Sequence, residues 1–206
     1  MQTSEFRSMG SRIFLAVDCE PSRAADLLGQ VPGWFQQGEK VFSRFDPESE
    51  LSRLNQVQGA PFHVSAEMIE VLKMAKQTRE STRGLVTPTV LDALMHAGYA
   101  EDFASIRLLG ASFSAGQSSL PPDALDFDLD PDSQTVALPP GVHLDLGGYA
   151  KGWMAHQVMN RLSGQAPALV NAGGDIAVSG PRIHGDPWLI GIENPLRPEE
   201  NVALVN

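Results

Sequence analysis

An acid, a glycine pair and a lysine fall close together in HLDLGGYAKGW, residues 143 to 153: Asp145, Gly147, Gly148 and Lys151. The residues before the glycines read as the end of a strand, and those after them as the start of a helix. A helix N-terminus presents unpaired N–H groups and partial positive charge, which suits phosphate. Glycines let a phosphate approach the main chain, and a lysine neutralises it as a point charge. Gly147 and Gly152 have Walker A spacing, but Trp153 and Met154 stand where that motif needs lysine and Ser or Thr, and no GxGxxG is present. A glycine-rich turn with a solvated lysine explains the same residues, and physics alone leaves both readings open.

NAGGD (171–175) is a second glycine pair with an acid, and by itself it reads as a tight turn needing positive φ, with Asp175 capping it. The histidines, His63, His96, His143, His156 and His184, show neither HxxxH nor HxH spacing. Cys19 is the one cysteine, which excludes an internal disulfide and a cysteine metal cluster. No Gly-x-Ser-x-Gly elbow appears. FDLDPD (127–132) lacks the glycine and distal glutamate of a calcium loop and reads as turn chemistry.

The elements that must position these residues follow from pattern. Ile13, Leu15 and Val17 alternate in RIFLAVD, a half-buried strand. GWFQQGEKVFSRF (33–45) reads as a helix on which Trp34, Val41, Phe42 and Phe45 share a face. DPESELSRLN gives a turn and a short helical turn ending at Asn55. Ser65 caps a helix running to about Arg83, with Met68, Val71, Leu72 and Ala75 at i, i+3, i+4 and i+7 and Gly84 as its stop. LVTPTVLDALMHAGY is a loop leading into a short helix, and residues 111–132 form a long Ser-, Gly-, Pro- and Asp-rich surface excursion. TVALPPGVHLDL reads as two short strands about a Pro-Pro-Gly turn. A helix follows with Ala155, Val158, Met159 and Leu162 on one face, closed by Ser163-Gly164. ALVNAGGDIAVSG and WLIGIENP supply further strands, and NVALVN looks like the beginning of another.

With 206 residues, 42% of them hydrophobic, the chain is long enough for one sizeable core, and its length predicts a single domain over 1–206. A formal charge of −10 argues against a nucleic-acid or anionic-membrane surface while leaving room for a small anionic ligand. No apolar run approaches a membrane span. MQTSEFRSMGSR lacks the apolar core of a signal peptide and has no lipidation cysteine, so the chain as it stands is expected to be cytoplasmic.

Taken in order, SMGSR, FSRFDPESELSRLN, GLVTPTVLDALMHAGY, LDLGGYAKGW, LVNAGGDIAVSG and WLIGIENP resemble the ApbE family, the flavin transferases that split FAD and attach FMN to a protein threonine. The resemblance runs from about Arg7 to the last residue. It implies an α+β fold of the ApbE type, T-fold-like, with mixed strands flanked by helices. It places the FAD pyrophosphate and a Mg²⁺ ion at the LDLGGYAKG corner. There Asp145 and Lys151 match FAD-contacting positions, and Gly148 matches a residue that gives the metal its main-chain carbonyl.

Met9 matches a methionine at the flavin, and Phe45 stands where an aromatic residue, often tyrosine, covers the isoalloxazine ring. Asn55 matches the asparagine of the "RLN" motif, and Leu85, Val86 and Thr87 align with a segment lining the FAD site. The chain departs from the family at Thr87, where aspartate is common, and at His156, which replaces another aspartate. The family's later ATSG-like stretch, its His-containing motif and its metal-ligating helix are not in this sequence, so the chain is expected to be an N-terminal portion lacking the C-terminal part.

The resemblance implies Mg²⁺-dependent transfer of FMN from FAD to a threonine of an acceptor flavoprotein, with AMP released and no catalytic base assignable here. The alternative is a protein that holds FAD without turnover.

Overall fold

The period-two pattern of RIFLAVD becomes a strand, Ser11–Val17, in the computed structural model of the chain, which describes residues 1–57, 59–99 and 126–206. In chain order the elements are β1 (Gln2–Ser8), β2 (Ser11–Val17), α1 (Pro21–Phe42), α2 (Glu50–Gln56), β3 (Phe62–His63), α3 (Ala66–Ser81), α4 (Leu91–His96), β4 (Asp128–Asp130), β5 (Thr135–Ala137), α5 (Ala150–Ser163), β6 (Ala168–Ala172), β7 (Asp175–Val178), β8 (Ile190–Asn194) and β9 (Arg197–Val205). The expected surface excursion lies outside the described residues over 111–125. The chain divides into two compact units, one of Met1–Phe6, Arg12–Pro32 and Met154–Asn206, the other of Arg7–Ser11 and Gly33–Trp153.

The first unit is built on a sheet in the order β1-β2-β6-β7. β2 pairs antiparallel with β6 from Ile13↔Ala172 to Val17↔Ala168, and β6 pairs with β7 from Leu169↔Val178 to Ala172↔Asp175. Ile13, Leu15 and Val17 are fully buried, as their alternation requires. The other side of β2 is covered too, because Phe14 and Ile190 pack against Ala16, Leu169 and Trp188. The Trp188 indole N–H finds its partner in the Gly180 carbonyl at 2.8 Å.

The helical pattern reaches further back than GWFQQGEKVF suggests: α1 begins at Pro21 and carries Pro32 inside it. Ala24, Leu27, Leu28, Val31, Phe35 and Phe42 make its buried stripe, so Phe35 rather than Trp34 faces inward. Proline first in a helix forfeits nothing, since that N–H has no intrahelical partner, and Pro32 lies on the exposed side of the stripe. NVALVN does not begin a strand: its residues 201–205 are the second half of β9. An Asx turn, Leu196 N–H to Asn194 Oδ1 at 2.9 Å, folds the chain back so that Ile190 faces Val205 and Ile192 faces Ala203.

In the second unit α3 matches its sequence pattern closely. Ser65 Oγ accepts from the Met68 N–H at 3.2 Å, and Met68, Val71, Leu72 and Ala75 are buried. The helix closes at Ser81, where Gly84, with φ of 81°, donates its N–H to the Arg79 carbonyl at 2.8 Å. Ser49 caps α2, whose Leu51 and Leu54 are fully buried.

β3, β5 and β4 form a three-stranded antiparallel sheet in that order, so part of FDLDPD is strand rather than turn. β3 has no clear signal in the sequence. The Pro-Pro-Gly turn forms, with Val142 N–H on the Pro139 carbonyl at 3.1 Å, but the expected strand after it joins no ladder. Leu144 and the Asp145 N–H find other partners. The Asn55 amide takes both the N–H and the C=O of Leu144, at 2.8 and 2.9 Å, and the Asp145 N–H donates to the Pro88 carbonyl at 2.8 Å.

Candidate functional site

The corner that this clamp holds opens on a cavity of about 540 Å³ inside the second unit, in the usual range for small-molecule sites. Four stretches far apart in sequence build its wall: the Met9-Gly10 turn, the end of α1 with the bend after it, Tyr99, and the corner from Asp145 to Lys151. Met9 and Gly10 take positive φ, 51° and 69°, and the Met9 N–H donates to Glu39 Oε1 at 2.7 Å.

Beyond α1, Ser43 Oγ accepts from the N–H groups of Phe45 and Asp46 at 3.2 and 3.3 Å, a local turn that competes with helix. Phe45 therefore leaves the helical face expected for it and stands 45% exposed at the cavity. At the corner, Asp145 Oδ1 accepts from the Gly147 N–H at 2.8 Å and Oδ2 meets Arg44 Nε at 2.8 Å. Lys151, one residue into α5, reaches back to the Gly147 carbonyl at 2.7 Å.

Of the residues singled out in the sequence, Met9, Phe45, Asp145 and Lys151 line this cavity together. Asn55 does not; it holds Leu144 and so fixes the backbone beside Asp145. Leu85 and Val86 are 88% and 44% exposed and do not line the cavity, nor does Thr87, whose Oγ1 lies 2.8 Å from Thr89 Oγ1. Gly148 sits exposed in the turn before α5, and His156 is exposed on α5. Beside them Tyr149 is buried, which pushes its phenol above the ordinary value, and its hydroxyl meets no partner among the described residues.

Among the described residues no group of three His, Cys, Asp or Glu stands where it could hold a metal ion. Other lining residues carry no clear sequence signal, among them Glu39, Arg44 and Tyr99. Arg44 lies between two phenylalanines in FSRF, and Tyr99 ends HAGY, but no local spacing announces that they meet.

An α+β fold with a small-molecule cavity at a Gly-Gly-Lys corner defines a class that the comparisons make specific. The ApbE family profile matches residues 9–206, and the chain belongs to the ApbE family. It is 31% identical over 160 residues to the FAD:protein FMN transferase of Haemophilus influenzae, covering 74% of this chain and 46% of that one. The enzyme of the same name from Vibrio cholerae is 29% identical over 167 residues, covering 79% and 49%. The chain thus spans about half the length of these relatives.

Among solved structures, the ApbE protein of Thermotoga maritima superposes with a TM-score of 0.81 at 22% identity, over 99% of this chain and 66% of that one. The flavin transferase ApbE of Vibrio cholerae gives 0.73 at 23% identity, over 94% and 64%. These likenesses show the fold. No described helix is long and apolar enough to cross a membrane.

Proposed function

We propose that this chain carries the FAD-binding face of an FAD:protein FMN transferase. The observation that supports it is the convergence of Met9, Phe45, Asp145 and Lys151, which the family resemblance links to FAD, on one cavity. In this reading the flavin ring lies against Phe45, with Met9 beside it. Asp145, held in place by Arg44 and the Gly147 N–H, accepts hydrogen bonds from the ligand. Lys151 exchanges the Gly147 carbonyl for a diphosphate oxygen, a change of partner that a long flexible ammonium makes readily.

With the flavin docked and Lys151 on its oxygens, the diphosphate is oriented for in-line displacement. The hydroxyl oxygen of an acceptor threonine bonds to the FMN phosphorus and gives up its proton to solvent. The phosphoanhydride bond breaks, and AMP leaves with the bridging oxygen.

The family resemblance also implies Mg²⁺. The described residues do not fit it by themselves. Gly148 offers a carbonyl, but no three ligating side chains gather, whereas an octahedral ion needs more oxygen ligands. No step here depends on the ion.

A second reading, FAD held without turnover, is favoured by the state of the cavity's two acids. Glu39 is engaged by the Met9 N–H and Asp145 by Arg44 and Gly147, so both already have partners within the chain. Incubating the chain with FAD and a threonine-bearing acceptor flavoprotein, with and without Mg²⁺, separates the two. AMP appearing together with acceptor-bound FMN supports transfer; FAD retained intact supports the second reading.

A further inference from the structure

Arg44 is buried at the cavity wall, its side chain only 6% exposed, and every part of the guanidinium is engaged. Nε meets Asp145 Oδ2 at 2.8 Å, Nη2 donates to the Tyr99 carbonyl at 2.7 Å, and Nη1 lies 3.6 Å from Met95 Sδ. Its Cζ stands 4.2 Å from the centroid of the Phe45 ring and 4.5 Å from that of Tyr99, and the two rings are 6.1 Å apart at 66°.

A planar cation whose charge is matched by a carboxylate and whose faces meet rings is poorly placed to receive a phosphate. It is well placed to hold other groups still. Three separate stretches, at Phe45, Tyr99 and Asp145, meet on this one side chain. Almost half of Phe45 remains exposed at the cavity.

We propose that Arg44 is a positioning residue for a planar heteroaromatic ring: it backs Phe45, fixes Tyr99 beside it, and sets Asp145 at a constant distance from that aromatic wall. The inference rests on the FAD reading, the flavin being the ring. It also makes Tyr99 part of the ring-binding wall.

The test uses FMN as the probe, titrated into the wild-type chain and into Arg44→Gln, with affinity and flavin fluorescence at saturation both recorded. Stacking on side-chain rings quenches flavin emission, so the saturated signal reports ring placement independently of affinity. The expected result is binding about tenfold weaker in Arg44→Gln, with part of the quenching lost. Weaker binding with unchanged quenching at saturation assigns Arg44 a purely structural role and overturns the proposal, as does unchanged binding.

If Arg44→Gln does not fold, Tyr99→Leu, which leaves the Arg44–Asp145 pair in place, decides by the same two readings. A wild-type chain that binds FMN normally while both variants match it overturns this inference alone. A wild-type chain that binds neither FAD nor FMN overturns the functional reading and this inference with it.

Discussion

Two glycine pairs beside an acid do different work in this molecule. In NAGGD, Gly173 and Gly174 are the two loop residues between paired Ala172 and Asp175, with φ of 67° and 104°. That is the handedness a two-residue hairpin turn requires, and Asn171 Oδ1, rather than the expected Asp175, secures it by accepting the Gly174 N–H at 2.8 Å. At the cavity corner neither Gly147 nor Gly148 has a positive φ. Gly147 is needed for space instead: a Cβ there would fall 2.9 Å from Asp145 Oδ1. One pair shapes the backbone, and the other clears room for a carboxylate at the cavity wall. Identical dipeptides are therefore told apart by φ and by what a side chain would strike.

The contrast breaks most visibly at Asp145. Asp145→Ala leaves the Arg44 guanidinium buried without its carboxylate, and a broken buried pair costs about 3 kcal/mol. Urea unfolding should show that loss, and flavin titration should show FAD binding abolished.

The glycines come next, with opposite outcomes. Gly174→Ala forces alanine into φ of 104° and should lower the unfolding free energy by about 1–2 kcal/mol, with FAD affinity unchanged. Gly147→Ala keeps an ordinary φ, so stability should stay within about 1 kcal/mol. The displaced Asp145 carboxylate should nevertheless weaken FAD by about tenfold. Equal effects of the two substitutions on FAD would erase the distinction.

The smallest effect belongs to Lys151→Ala. Among the described residues its ammonium donates to the nearby Gly147 carbonyl, so stability should change by less than about 0.5 kcal/mol. Binding constants should show FAD weakened about fivefold more than FMN, because a diphosphate contact is removed. Equal loss for both ligands would count against that role.

What the sequence made legible was local. The Ser65 cap and the i, i+3, i+4, i+7 stripe of α3 need only neighbours in the chain, as does the NAGGD turn. The first half of α1 was hidden by Gly29, Pro32 and Gly33, poor helix formers whose penalty is outweighed by burial of Ala24, Leu27, Leu28 and Val31. The stretch at 142–146 alternates like a strand, yet its partner is the side chain of Asn55, 89 residues away from Leu144.

At the cavity, four residues carried by the family resemblance do meet, while Arg44 and Tyr99 escaped notice because an arginine between two rings has no periodicity to betray it. Leu85 and Val86, drawn from the same resemblance, turn outward instead.

Receipt of FAD by the cavity walled by Phe45, Asp145 and Lys151 is what the other predictions depend on. It is tested most directly by mixing the purified chain with FAD, separating protein from free ligand, and identifying the flavin that stays bound in the wild type and in Asp145→Ala. FAD should be retained on the wild-type chain in roughly equal proportion to protein, as expected for one site, and lost from Asp145→Ala. Wild-type chain emerging without flavin, or Asp145→Ala retaining as much as wild type, would contradict it.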